Sequence, residues 1–377
     1  MTRHTTGTIW LALLAGIFAS CMHSASRPSR TSRVNACAQQ TDEQLVAEVA
    51  RFVGTRAEEG IFSGVVLVAR GSDVLFERAY GWADQSGRRP NTVTTRFDIA
   101  SLGKMLTGVA VAQLFERGLV SFDQPIRPYL LPRFPNAQIA DNVTIHHLLT
   151  HSSGIPDLPD ELFNAPPSTS SGYMPFFAGV ELQFSPGEKR AYSNAGFILL
   201  GLIVESVSGL PYEEYVRRHL FEPAGLTSFA FRRMGSRAES FAIGYTRENS
   251  GEEWRPNTAI VAESGGPHGG AFASAADLAR FFQALRSGTL VKPETALLVT
   301  TPRAGASAAY GFGVLDFDTD RLVGHSGGNV GSSADAYTYW QSGYTIVVLS
   351  NLDPPSSHEV AGAIRQLIEP RFELAGK

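Results

Sequence analysis

Apolar residues first recur with helical spacing at Leu45, Val46, Val49, Phe52 and Val53. Thr41 and Gln44 precede them in a capping-box pattern, so a helix is predicted to open the folded chain near Thr41. Two β-rich runs, 64–69 and 74–80, follow on either side of Arg70-Gly71-Ser72-Asp73, which is a hairpin signal. The helical period then returns over 101–117 at Leu102, Met105, Leu106, Val109, Ala110 and Leu114, with Gly118 as its stop. From about 105 to 260 helical patterns dominate, broken by proline-rich loops at 125–135 and 156–175; the apolar helix 195–207 ends at Gly209. A helix at 275–285, capped by Ser274 and Asp277, leads into strand-like runs at 311–317 and 322–324. A second hairpin, 337–340 with 344–349, turns at Gln341-Ser342-Gly343, and an amphipathic helix at 359–368 closes the pattern. The order helix, strands, helical insert, strands, helix describes an α/β (α+β) chain. Its antiparallel sheet is flanked by N- and C-terminal helices and interrupted by a mostly helical lobe. The boundaries are 41–104 and 262–377 for the α/β lobe and 105–261 for the helical lobe.

A length of 377 residues suits one large domain or two interleaved lobes. The net charge of -4, with no Lys/Arg cluster among aromatics, argues against nucleic acid and leaves small molecules as the expected partners of a monomer. Residues 1–21 read as an export signal: Arg3 is followed by an uncharged apolar run from Ile9 to Ala19, too short to span a bilayer. Phe18-Ala19-Ser20-Cys21 resembles the bacterial lipobox, which would lipidate Cys21 and anchor the chain to the membrane. Phe18 stands where Leu or Val is usual, and ordinary signal cleavage is the competing reading. Either way the expected location is outside the cytoplasm, periplasmic or membrane-anchored. With Cys37 the only other cysteine, no internal disulfide is expected. Residues 22–40, rich in Ser, Arg and Ala, read as a disordered tether.

Three motifs carry candidate chemistry. Ser101-Leu102-Gly103-Lys104 opens a predicted helix, which puts the Lys104 amine one turn from the Ser101 hydroxyl. A serine needs a base to become a nucleophile, and lysine serves only if burial or nearby cations keep it neutral. The helix N-terminus would add N–H donors for a developing oxyanion. In Tyr192-Ser193-Asn194, an extended segment would project Tyr192 and Asn194 to the same side. The phenol would relay or accept the nucleophile's proton and the amide would orient Lys104 or a substrate carbonyl; a packed Tyr and an N-cap Asn are the plainer alternative. The third, Gly324-His325-Ser326-Gly327-Gly328, closes a strand and leads through a Gly-rich turn. Taken literally it is the G-x-S-x-G nucleophile elbow, with Asp335 or Asp353 and His358 as partners and His268-Gly269-Gly270 as oxyanion loop. An elbow needs a helix after its serine, and 329–334 does not supply one. It also resembles the Gly-Asp-Ser-Gly-Gly of trypsin-like proteases, but a helical middle does not suit two β-barrels. His146, His147 and His151 cluster, yet adjacent residues diverge on a helix, so turn and packing roles are expected rather than a metal site. No metal or cofactor is implied.

Together these motifs, with Leu148-Leu149-Thr150-His151-Ser152-Ser153-Gly154, Ser185-Pro186-Gly187, Gly265-Gly266 and Ser274-Ala275-Ala276-Asp277-Leu278, resemble the serine β-lactamase and penicillin-binding-protein superfamily. The likeness is to its class C-like branch of esterases, D-aminopeptidases, DD-peptidases and β-lactamases, and it covers about residues 45–370. The resemblance implies a β-lactamase/transpeptidase-like fold and a cofactor-free acyl-enzyme. It makes Ser101 the acylated residue, Lys104 and Tyr192 the shared base and acid, and Asn194, His325 and Gly327 the substrate contacts. The N–H groups of Ser101 and Gly328 would form the oxyanion hole. An esterase or D-aminopeptidase-like hydrolase of small esters or amides is the expected activity. A class C-like β-lactamase or DD-carboxypeptidase, and a receptor that acylates without turnover, are the alternatives. Antibiotic-handling members carry Lys where this chain has His325. An unperturbed histidine, with pKa about 6.5, would be mostly neutral at neutral pH and gain a cation as pH falls. The acyl and leaving groups would be set by loops 156–175 and 232–260.

Overall fold

The computed structural model describes residues 41–130, 134–164, 166–167, 169–231, 240–247, 249, 252–259, 265–303, 309–316 and 320–373. The expected export signal with Cys21, the tether, and much of loop 232–260 lie outside the described residues.

Six strands form one antiparallel sheet: β1 Gly64–Arg70, β2 Asp73–Tyr80, β3 Gly313–Asp316, β4 Arg321–Asn329, β5 Ser332–Tyr339 and β6 Tyr344–Ser350. Their spatial order is β3-β4-β5-β6-β1-β2, so strands from the two ends of the chain meet at β6 and β1. The register Val65↔Leu349 and Val66↔Val348 fixes which side chains share a face. Val65, Leu67, Val347 and Leu349 join the larger core; Val66, Val68, Ile346 and Val348 join a smaller one. That smaller core is completed by the terminal helices α1, Asp42–Glu58, and α5, Ser356–Ile368. Because both faces are covered, β6 is buried along its whole length, which explains an unbroken apolar run where a one-sided strand would alternate. The capping box at the start of α1 forms, with Gln44 N donating to Thr41 Oγ1 at 3.3 Å and Thr41 N to Gln44 Oε1 at 2.8 Å.

On the opposite face lie α2, Gly103–Glu116, α3, Asn194–Ser208, and α4, Ala275–Arg286. Helix α2 is buried on every side from Gly103 to Leu114, so the apolar spacing found in the sequence belongs to a core helix rather than a half-exposed one. Ser274 caps α4 by accepting from Asp277 N at 3.3 Å, but the Asp277 carboxylate turns away to accept from Ser228 N at 2.6 Å and ties α4 to the helical insert. The largest departure from expectation is β4. It runs unbroken through the third motif to Asn329, and the turn falls only at Val330-Gly331. The glycines there allow close approach of other backbone, and so do not break the strand.

Candidate active site

Ser101 is presented by a short strand, Phe97–Asp98, and a 3₁₀ turn, Ala100–Leu102, that runs into α2. The strand pairs with Ala271–Ala273, which pairs in turn with Ala230–Phe231 of the insert. Ala100 takes φ +45°, a left-handed conformation costly for a residue with a Cβ. Three hydrogen bonds impose it: Ala100 N to Asp98 Oδ1 at 2.8 Å, Ile99 N to Ala271 O at 2.9 Å and Gly270 N to Ala100 O at 3.1 Å. Gly269, at φ +147°, makes the contact possible, since a Cβ there would lie 2.6 Å from Ala100 O. Ser101 therefore sits on backbone fixed from both sides.

Lys104, 0 % exposed, points into the junction of α2, α3 and the 265–270 segment. Its Nζ lies 3.2 Å from Ser101 Oγ and 2.7 Å from Asn194 Oδ1, and it also donates to the His268 carbonyl. The rings of Tyr192 and Phe197 close around it at 4.8 and 5.5 Å. Burial, only partly opposed by the Asp157 carboxylate, lowers this amine from 10.5 to about 7. The Tyr192 hydroxyl donates to Ser101 Oγ at 2.8 Å. Burial, against the bond to Ser101, pushes this phenol far above its ordinary value, so it remains neutral. Of the two groups touching Ser101, the amine is thus the one with a neutral lone pair ready to accept a proton.

The segment 192–194 is held by a residue to which the sequence assigned only packing. His151, at φ +59°, stacks on Tyr192 with centroids 4.5 Å apart and accepts from Ser193 N at 3.2 Å. Burial first, then the Arg190 charge, lower it well below its ordinary value, so it packs as a neutral ring. Ser193, rather than Asn194, is the N-cap of α3, accepting from Gly196 N at 3.1 Å. That frees the Asn194 amide to face Lys104 with its oxygen while Nδ2 donates to Asp157 Oδ2 at 3.0 Å, leaving one Nδ2 hydrogen for a substrate. His146 and His147 serve the fold: one pairs with the Tyr310 hydroxyl at 2.8 Å and the other accepts from Thr144 N in a capping box.

Strand β4 brings up the third motif. At Gly327 the backbone presses on the turn that carries Ser101, where a Cβ would lie 2.6 Å from Ile99 O and 2.9 Å from Ser101 N. Gly328, paired with Ser333, follows directly. His325 shares the Gly327 face, and its Nδ1 pairs with the Ser326 carbonyl. Burial, then the Lys104 charge, pushes His325 down to about 4, well under the ordinary value assumed from sequence. Ser326 faces the other side, opposite Asp335. Asp335 Oδ1 does meet His358 Nδ1 at 3.3 Å, but Oδ2 accepts from Ser357 Oγ at 2.6 Å. Asp335 is thus held between Ser357 and His358, no hydrogen bond among the described residues joins His358 to Ser326, and no helix follows Ser326; the elbow reading fails on geometry.

Residues 39–369 match the family described as Beta-lactamase. The chain belongs to the beta-lactamase family. It is 31% identical over 329 residues to a penicillin-binding protein of Bacillus subtilis (strain 168), covering 81% of this chain and 72% of that one. The crystal structure of a penicillin-binding protein from Bacillus halodurans superposes with TM-score 0.75 at 33% identity, over 84% of this chain and 98% of that one. A D-amino acid amidase from Ochrobactrum anthropi shares the fold at TM-score 0.72 and 20% identity, over 86% and 99%. As a member of the beta-lactamase family the protein is a serine hydrolase. The structure joins Ser101, Lys104, Tyr192 and Asn194 by hydrogen bonds and sets Gly327 against the Ser101 turn, with His325 and Gly328 on the same strand. It adds His151, Asp157 and the His268 carbonyl, which sequence reasoning missed as site residues. Their sequence signals were indirect: 148–154 entered only through the family resemblance, 156–175 only as a loop shaping the substrate groups, and 268–270 only as the oxyanion loop of the elbow.

Proposed function

We propose that this protein is an exported serine hydrolase that forms an acyl-enzyme on Ser101 and acts on small esters or amides. The observation that carries the proposal is the buried Lys104 amine, lowered to about 7 and 3.2 Å from Ser101 Oγ. Neutral Lys104 takes the hydroxyl proton as Oγ attacks the substrate carbonyl. The N–H groups of Ser101 and Gly328 receive the oxyanion. The Tyr192 phenol, 2.8 Å from Oγ, donates a proton to the leaving alcohol or amine and is reprotonated from Lys104. Water then attacks the acyl carbon, the same groups moving the proton in reverse, and Ser101 is released. Substrates without a carboxylate fit the His325 position, where a neutral imidazole replaces a permanent cation.

The names of the relatives favour a second reading, in which a penicillin acylates Ser101 and is not released. One experiment tests both. A fluorophosphonate and a penicillin probe are each added to the protein, and the labelled peptide is found by mass. Label on Ser101 together with steady release of p-nitrophenol beyond one equivalent supports the hydrolase. A stoichiometric burst with no turnover on any ester or D-amino-acid amide supports the receptor. Label on another serine overturns both. Export, and anchoring through Cys21, are tested by fractionation of cells expressing the full chain and its Cys21→Ser variant.

A further inference from the structure

We infer that Asp157 is a positioning residue for the catalytic base, holding the Asn194 amide in the one orientation that offers Lys104 an acceptor and placing a carboxylate behind it. The inference rests on the proposed role of Lys104 as base. Asp157 Oδ1 accepts from Asn194 N at 2.7 Å and from Leu158 N at 2.9 Å, while Oδ2 accepts from Asn194 Nδ2 at 3.0 Å. A carboxylate only accepts, so it admits the NH₂ end of the amide and rejects the oxygen. The oxygen is thereby turned to Lys104 Nζ, 2.7 Å away. A flipped amide would put two oxygens together at Asp157 and two sets of donors together at Lys104. The loop that presents Asp157 is fixed as firmly as the nucleophile turn. Gly154 takes φ +78°, where a Cβ would lie 2.2 Å from Phe184 O, and Ser153 Oγ accepts from Ile155 N at 3.2 Å.

An ordinary alternative is that Asp157 merely caps α3, since a carboxylate at a helix N-terminus is favourable by itself. The two roles differ in what they do to the pH dependence. The groups around the base are Ser101 from its own turn, Arg190 and Tyr192 from the segment before α3, Asn194 from the first residue of α3, and His151 and Asp157 from their loop. His268 and His325 complete the set. Burial holds His268 near 3 and His325 near 4, and lowers His151 well below its ordinary value, so an ionisation near 7 belongs to none of the three. Asp157 is the group that raises Lys104 against its burial.

In Asp157→Asn one oxygen becomes a donor facing the Asn194 donors, and the negative charge is gone. The acid limb of kcat/KM against pH should move to lower pH by roughly half a unit or more, because the charge that raised Lys104 is lost. The plateau should fall about tenfold, because the acceptor on Lys104 is no longer held. Asp157→Glu keeps the charge with a longer reach; its limb should stay with that of wild type while its plateau falls. A lowered plateau with an unmoved limb in Asp157→Asn, or a full plateau in either variant, overturns the inference. Should Asp157→Asn not fold, the Glu variant decides alone: limb kept and plateau lowered supports the positioning role, and any other pairing overturns it. A wild-type limb nowhere near pH 7 would instead sink the assignment of Lys104 as base, which separates the two failures.

Discussion

The proposed role of Lys104 as a base made neutral by burial has a measurable consequence. At its ordinary value of 10.5 the amine would be neutral at pH 7 in roughly one molecule in three thousand, whereas at about 7 it is neutral in about half. The gain in competent enzyme is therefore on the order of a thousandfold. kcat/KM for p-nitrophenyl butyrate, measured from pH 5 to 10 at constant ionic strength, should rise about tenfold per pH unit through a single ionisation with midpoint near 7 and then level off. The plateau should extend to pH 10, because burial pushes the Tyr192 phenol far above its ordinary value. Lys104→Arg keeps the charge but cannot release it, and should fall by a factor of about 10³ or more on the plateau. A rate still climbing at pH 10, a rate independent of pH, or an active Arg variant would each remove Lys104 from the role.

Ser101→Ala, Lys104→Ala and Tyr192→Phe should each cost a factor on the order of 10³ or more in kcat, with little further loss in combination; losses that multiply would mean the three do not act as a unit. His325→Lys should raise the nitrocefin-to-ester ratio of kcat/KM by about ten- to a hundredfold, the worth of a charge-assisted hydrogen bond of roughly 1.5–3 kcal/mol. In wild type that ratio should stay nearly flat from pH 9 to 7 and climb only as the pH approaches 5, since His325 is held near 4; a rise centred between pH 7 and 6 would restore the ordinary histidine. Lys104→Met should be stabilised relative to wild type at pH 6, by an amount bounded on the order of 5 kcal/mol. The folded state sheds the amine proton near 7 and the unfolded state near 10.5, so the cost is full below 7 and vanishes above 10.5. A melting-temperature gap that fails to narrow between pH 7 and 10 contradicts this. Gly103→Ala puts a Cβ 2.9 Å from Gly269 Cα, which should part α2 from the 265–270 segment and admit water to the amine. Activity lost at pH 7 should then partly return at pH 9, and an equal loss at both would refute the link.

Much of this site was legible because its motifs lie at element boundaries that the apolar pattern marks well. Ser101 stands where a short strand meets α2, and Tyr192 and Asn194 stand where a loop meets α3. Both junctions show in the sequence as a change of period. The third motif was misread as a turn because glycine was taken as punctuation, whereas Gly327 is there to let β4 approach Ser101. Asp157 was invisible for a different reason. A lone carboxylate in a proline-rich loop acquires meaning only from a partner 37 positions away, and no local pattern encodes that separation. The His325 value failed likewise, since an ordinary histidine was assumed where burial and the Lys104 charge act together.

Desolvation, rather than a neighbouring cation, lowers Lys104, and the surrounding histidines show why the distinction matters. Three imidazoles near Lys104 could each have served as a cation to hold off its proton, yet His151, His268 and His325 are all lowered by the same burial. A group that dry packing discharges cannot then act as a charge. The amine is left with Asp157 working against its release, and only packing on its side. That packing is built from backbone in contact with backbone: Gly103 on Gly269, Gly269 on Ala100, and Gly327 on the turn that carries Ser101. Position and reactivity thus have one cause here, because the glycine contacts that aim Ser101 also keep water from Lys104.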